Sequence, residues 1–241
     1  MKMKQITFIL PYYRNPNMLQ KQFEFWNQYS EETRRHLQII VVDDGSPLGS
    51  RAQEVISAQG LAVDVLDFRL YRILTDLRWN CLQGRNLGAS EATTPWLLLT
   101  DMDHVVLPEV MESLMREDHD ARVWYMFSRG RWPEMTPRNP HPNSFLMSKE
   151  FFWRVGGEDE TYAGHYGTDK MWRERCGRVG EMVLLPQKLA SGFRKYVPDA
   201  STTTLERLEN RDERDLKEIT AYKQRHGVGV QTLRLPWVRV I

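Results

Sequence analysis

Thr94-Pro95-Trp96-Leu97-Leu98-Leu99-Thr100-Asp101-Met102-Asp103-His104 is the stretch whose reading decides the fold. Pro95 bounds a short apolar run in front and an Asp-x-Asp triplet bounds it behind, so the run reads as a buried central strand that delivers two carboxylates at its C-terminal end. Residues two apart in extended backbone share a face. Asp101 and Asp103 can therefore jointly hold a hard divalent cation whose other ligands are phosphate oxygens. An acidic strand-end turn is the plainer alternative, and the triplet alone is a weak signal.

Upstream, Gln5 to Leu10 is a β-rich apolar run that stops at Pro11-Tyr12-Tyr13-Arg14. Asn15 is placed to cap a helix with Pro16 at its first position, and Leu19, Phe23 and Trp26 follow at helical spacing. Leu37 to Val42 reads as a second buried strand, apolar except for Gln38, and it ends in Asp43-Asp44-Gly45-Ser46 before a helix around Arg51 to Ala58. Leu61 to Leu66 reads as a third strand, and Asn80 to Ala92 as a helix. Alternating strand and helix predicts a doubly wound, mostly parallel sheet, in which ligands bind outside the carboxyl ends of the strands. Asp43 and Asp44 are either a turn with a helix cap or acceptors for a base and ribose, and Tyr12 or Tyr13 is either a core aromatic or a stacking face.

Taken together, Ile6-Thr7-Phe8-Ile9-Leu10-Pro11-Tyr12-Tyr13, Val41-Val42-Asp43-Asp44-Gly45-Ser46, Gly84-Arg85-Asn86-Leu87-Gly88-Ala89 and Leu98-Leu99-Thr100-Asp101-Met102-Asp103 resemble the family 2 glycosyltransferases of GT-A fold. The resemblance implies a Rossmann-related sheet flanked by helices and a nucleotide-sugar donor, with a UDP-sugar expected. It implies that Pro11 and Tyr13 lie against the base and that Asp44, with Asp43 beside it, contacts uracil or ribose. Arg85 is expected near the nucleotide, and Asp101 and Asp103 on the ribose and on Mn²⁺ or Mg²⁺ at the diphosphate.

Downstream, Pro108 starts a helix to Arg116 and Arg122 to Phe127 reads as a strand. Arg129 to Asn143 carries Pro133, Pro137, Pro140 and Pro142 and reads as neither helix nor strand. Such a loop is expected on the acceptor side, with Trp132 available for sugar stacking, or else as a plain surface connector. Ser144 to Ser148 reads as a strand. The segment from Gly156-Gly157-Glu158-Asp159-Glu160 to Thr168-Asp169-Lys170-Met171-Trp172-Arg173 is similar to the family's acceptor-side segment. There the family's acidic pair is here Thr168-Asp169, and the resemblance implies that Asp169 is the general base, with Asp159, and after it Glu158, as runner-up and both on the acceptor side. The plainer reading of Asp169 is an acid favoured by the helix dipole. The family's downstream metal-binding His is missing from Leu189-Ala190-Ser191-Gly192-Phe193-Arg194; His104, His165 and His226 are substitutes out of position, and Arg194 or Lys195 can neutralise a diphosphate instead.

With 33 Lys and Arg against 32 Asp and Glu, a net charge of +1 argues against a nucleic-acid partner held by bulk charge. No apolar run reaches the ~20 residues that span a bilayer, and the apolar stretch after Lys4 is too short for a signal-peptide core. Cys81 and Cys176 have no metal-type spacing. A cytoplasmic protein is expected, with peripheral membrane association compatible with a lipid-linked acceptor. The expected organisation is one GT-A-like domain: residues 1–104 for the nucleotide-sugar, 105–200 for a glycan, lipid-linked or other hydroxyl acceptor, and 201–241 as a helix capped at Thr203 followed by a β-segment. The competing readings are a nucleotidyltransferase, disfavoured because Pro11 to Asn15 holds no glycine for a triphosphate loop, and a noncatalytic binding protein.

Overall fold

A computed structural model describes residues 3–63, 66–77, 80–165, 167–200 and 213–241. In chain order it has β1 (Ile6–Tyr12), α1 (Pro16–Trp26), α2 (Glu31–Arg35), β2 (Leu37–Asp43), α3 (Ala52–Gln59), β3 (Asp67–Ile73), α4 (Cys81–Glu91) and β4 (Trp96–Leu99). Then follow α5 (Pro108–Arg116), β5 (Trp124–Arg131), β6 (Thr136–Arg138), β7 (Phe145–Ser148), α6 (Lys149–Arg154), α7 (Asp169–Val179), β8 (Met182–Ser191), a C-terminal helix (Glu213–His226) and β9 (Trp237–Arg239). The strands form one sheet in the order β6-β5-β7-β4-β1-β2-β3-β9, with β8 also paired to β5. β4, β1, β2 and β3 are mutually parallel, β7 and β9 run antiparallel to their neighbours, and the sheet is continuous from the first half of the chain into the second.

The parallel strands are buried on both faces, which is why they read as unbroken apolar runs. Phe8, Leu10, Ile39, Val41 and Leu98 face one core layer with Phe23 and Trp26 of α1. Ile9, Ile40, Val42, Leu97 and Leu99 face the other, with Leu87 of α4, Phe151 and Trp172. Gln38, the polar exception in β2, joins a buried network: it accepts from Thr7 Oγ1 at 2.9 Å and donates to Asp67 and Thr93 at 3.0 Å.

Register places the functional strand ends together. Tyr12 pairs with Asp43 and Ile9 with Leu99, so Pro11–Tyr13, Asp43–Asp44 and Asp101–Asp103 leave the sheet along the same edge. Gly45 (φ +71°) makes the turn after β2 possible, since a Cβ there would sit 2.8 Å from Asp76 Cα.

The structure corrects several expectations. The third strand is Asp67–Ile73, not Leu61 to Leu66, of which residues 61–63 and 66 are described and lie outside any strand. Its charges have local partners: Arg69 donates to Glu91 O at 3.2 Å and Arg72 to Ser46 O at 3.3 Å. Arg129 to Asn143 is not loop throughout, because β5 continues to Arg131 and pairs with β6 in a hairpin. Asn15 occupies the cap position of α1 but does not cap it. Its Nδ2 donates to Asp199 O at 2.5 Å, and Asp199 accepts from the backbone N–H of Asn17 (2.7 Å) and Met18 (3.0 Å) in its place. The expected cap at Thr203 lies outside the described residues, and β9 closes the β3 edge, as an irregular edge strand after Pro236 should.

Gly88 fixes how closely α4 approaches β1, since a Cβ there would meet Ile9 Cγ2 at 2.4 Å. Helix propensity alone favours Gly88→Ala by about 1 kcal/mol, but overpacking costs ~1–3 kcal/mol. We expect a net loss of stability for Gly88→Ala in urea unfolding; a gain would show that the helix can move off the sheet freely.

Candidate active site

A cavity of 420 Å³ opens at the carboxyl edge of the parallel strands. Pro11, Tyr13 and Asp44 form one side, Asp101, Asp103 and His104 the floor, and Arg129, Arg138, His141 and Asn143 the opposite side, with Asp169 and Arg194 completing the wall.

Behind the floor lies Arg85, 1% exposed, on α4. Its Nη2 donates to Asp101 Oδ1 at 2.9 Å and to Asn143 O at 3.2 Å, and its Nη1 donates to Glu158 Oε1 at 3.1 Å. A planar fork bonding two carboxylates in different directions is a task for guanidinium rather than ammonium. Asn86, next on the helix, extends the clamp. Its Nδ2 donates to Glu158 O and Glu160 Oε1, each at 2.7 Å, and its Oδ1 accepts from Glu158 N at 2.7 Å. Gly157 must be glycine here: its φ is +68° and a Cβ would stand 2.8 Å from Asn86 Oδ1. Burial pushes the Glu158 carboxyl up to about 7 despite the opposing pull of Arg85.

Asp101 is held on all sides. Besides Arg85, its Oδ2 accepts from Asn143 Nδ2 at 3.3 Å and lies 3.6 Å from His141 Nε2. Asp103 bonds His104 Nδ1 through Oδ1 at 2.8 Å, which leaves Oδ2 outside that bond. Burial raises the Asp103 pKa, but the charge and hydrogen bond of His104, with Arg194, outweigh it and hold the carboxyl below its usual range. The His104 and His141 rings lie 3.9 Å apart. Burial, then the neighbouring His104, Arg129, Arg85 and Arg138, drive the His141 pKa far down, so its imidazole is neutral. An ionised Asp103 beside Asp101 suits a hard cation that completes its shell with substrate oxygens. Among the described residues no group of three His, Cys, Asp or Glu is arranged to hold a metal.

Several expected site residues stand elsewhere. Asp43 is a structural cap: Oδ1 accepts from Ser46 N and Oδ2 from Ala52 N, both at 2.8 Å, and the side chain does not line the cavity. Arg85 positions Asp101 from behind rather than facing the cavity. Asp159 pairs with Lys223 Nζ at 2.9 Å and accepts from Thr161 N, and with Glu158 it lines a separate pocket under α7. Trp132 packs on Phe193 at 6.1 Å and edge-on to Phe25 at 5.3 Å, so its ring belongs to the core rather than the cavity. Tyr13 is at the cavity and donates to Asp76 Oδ2 at 3.1 Å. The residues that sequence reasoning missed are His141, Asn143, Arg129 and Arg138. Arg129 is on β5 itself, and Arg138, His141 and Asn143 arrive through the folding of the proline-rich segment beside it, which no spacing rule records.

The mostly parallel sheet carries a pair of acids, Asp101 and Asp103, at its carboxyl edge, where open α/β sheets bind their ligands. The family model described as glycosyl transferase family 2 matches residues 7–176, and the chain belongs to that family. Among solved structures it is similar to the mannosyltransferase PcManGT from Pyrobaculum calidifontis in complex with GDP-Man and Mn²⁺, at TM-score 0.62 and 13% identity over 90% of this chain and 65% of that one. It is also similar to S. aureus TarS 1–349 in complex with UDP-GlcNAc, at TM-score 0.62 and 10% identity over 78% of this chain and 58% of that one. The chain thus spans 65% and 58% of the lengths of these two neighbours, and at such identity the likeness is one of fold. No curated protein sequence matches the chain.

Two measurements check the clamp. Arg85→Met leaves Asp101 and Glu158 without their shared cation, and an expected loss of ~3–5 kcal/mol in urea unfolding follows; a change near zero would mean the pairs contribute nothing. Glu158 has a folded pKa of about 7 against 4.5 in a free side chain, so between these values the folded state keeps a proton that the unfolded state has released. Stability contributed by this group is present below 4.5 and lost as pH rises to about 7. The stability of wild type relative to Glu158→Gln should fall across that window, and parallel pH profiles would contradict the assignment.

Proposed function

We propose that the chain transfers a sugar from a nucleoside-diphosphate donor to a hydroxyl acceptor by a single displacement that inverts the anomeric centre. The observation that carries this reading is the convergence of Asp101, Asp103 and Asp169 on one cavity whose far side holds Asp44 and Tyr13. Asp44 receives hydrogen bonds from base or ribose and Tyr13 lies against the base, with a UDP-sugar as the donor. The Asp169 carboxylate takes the proton from the acceptor hydroxyl as its oxygen attacks the anomeric carbon. The bond from that carbon to the diphosphate breaks, and the diphosphate oxygen leaves with the electron pair. Asp169 sits at the first turn of α7, on the wall of the cavity.

Asp103, with Asp101 beside it, would hold Mn²⁺ or Mg²⁺, whose chemistry is to neutralise charge on the departing diphosphate. Arg194 reaches the same cavity and adds positive charge near Asp103. Acceptor classes compatible with this chemistry are a glycan, a lipid-linked sugar or another alcohol. Among the described residues no helix is long and apolar enough to cross a membrane. Free Cys81 and Cys176 fit a reducing cytoplasmic setting.

The test is release of UDP from a panel of UDP-hexoses and UDP-N-acetylhexosamines, with polyol and glycan acceptors. Asp169→Asn should lower turnover by roughly 10²–10⁴-fold, the usual contribution of a general base, while UDP affinity by calorimetry stays within about threefold because base and ribose contacts are untouched. Transfer at the wild-type rate would remove Asp169 from the role.

A further inference from the structure

The hairpin wall of the cavity places Arg129 of β5 directly opposite Arg138 of β6 as cross-strand partners, and both line the cavity. Like charges facing each other across a sheet destabilise it. The compensation in place is weak: the polar bond of Arg129 is Nε to Asn139 O at 2.6 Å, the Asp103 charge acts on Arg129 from beyond ion-pair distance, and among the described residues neither guanidinium has a carboxylate at ion-pair distance. Burial, then the charge of Arg138, lower the Arg129 pKa, and the charge of Asp103 offsets them only in part. Such an arrangement is stable in a ligand's presence if the ligand brings an oxyanion, for which paired guanidinium forks are suited.

The position of the pair in the sheet separates it from the donor. In the strand order β6-β5-β7-β4-β1-β2, the arginines sit on one flank of the strand that leads to Asp101, and Tyr13 and Asp44 lie on the other. A donor whose base meets Asp44 and whose diphosphate meets Asp101 and Asp103 enters from the flank opposite the hairpin, with Arg129 and Arg138 on the far side of the same cavity and Arg129 within electrostatic range of Asp103. We propose that Arg129 and Arg138 form a second oxyanion site that receives a phosphate carried by the acceptor, making phosphate-bearing alcohols the acceptor class. The acceptor assignment rests on the transferase reading above; the oxyanion site does not.

The test is calorimetric titration of inorganic phosphate at low ionic strength into the full chain, alone and with saturating UDP. Wild type, Arg138→Gln, Arg138→Lys and Arg129→Gln/Arg138→Gln are compared, with circular dichroism as the check on folding. Phosphate should bind in the presence of UDP, weaken by about tenfold or more in the double variant and be largely kept by Arg138→Lys, as loss of charge-assisted bonds predicts. UDP affinity should stay within about threefold in all variants. Phosphate displaced by UDP, with both weakened together by the variants, would make the arginines a clamp on the donor diphosphate and overturn the proposal. Absence of phosphate binding in wild type would overturn it as well. UDP failing to bind while phosphate binds through the arginines would sink the nucleotide reading and leave the oxyanion site standing.

Discussion

A buried guanidinium needs its charges matched, and Arg85 is the point on which the two parts of this chain depend. Desolvating it costs several kcal/mol, which is recovered only if both of its carboxylate partners stay at bonding distance. One partner, Asp101, leaves the central strand; the other, Glu158, belongs to the turn before α7. The same turn is gripped by Asn86 from the next position of α4, and α4 itself is pressed onto β1 through Gly84 and Gly88. The helix, the strand end and the turn that leads toward Asp169 are therefore fixed relative to one another by contacts between segments remote in sequence. A second tie, Asp199 on the first turn of α1, works in the same direction.

This constraint sets the electrostatics of the cavity. Asp101 is neutralised from behind by Arg85, so the acid facing the cavity with charge to spare is Asp103, kept ionised by His104 and Arg194. Neutral His141 stands between Asp101 and the hairpin arginines as a hydrogen-bonding group without charge. Acid thus lines the floor and Asp169 one wall, while positive charge lines the hairpin. A negatively charged ligand finds its complement at the hairpin arginines and Arg194, and at the acidic floor only by way of a cation that Asp103 would hold.

Much of the fold was legible because β1, β2 and β4 are buried on both faces and carry no competing signal. The same physics hid β3: Asp67, Arg69 and Arg72 break its apolar pattern, and partners remote in sequence make them tolerable, Gln38 for Asp67, the end of α4 for Arg69 and the turn after β2 for Arg72. The hairpin was hidden by the prolines around it: Pro137 sits in an exposed edge strand whose pairing tolerates it, and Pro133 lies in the connection between β5 and β6. At the site, adjacency misled where direction mattered. Asp43 and Asp44 are neighbours, yet alternation along the strand end turns Asp43 toward the α3 cap and leaves Asp44 at the cavity. Asp159 and Asp169 are both acids near α7, and Lys223, far along the chain, decides that Asp159 faces away. His141 was unreadable for a similar reason, since no local pattern records what it stacks upon.

The proposed function stands on the floor of this cavity receiving the diphosphate of a nucleotide against Asp101 and Asp103. Its most direct test is calorimetric titration of UDP into the purified chain with and without Mn²⁺, with GDP and CDP as comparisons and Asp103→Asn as the control. We expect UDP binding that strengthens by about tenfold or more with Mn²⁺, and loss of that enhancement in Asp103→Asn, because Asp103 would hold the ion and the ion would neutralise charge on the diphosphate. Failure of every nucleotide to bind, with or without the ion, would contradict the account.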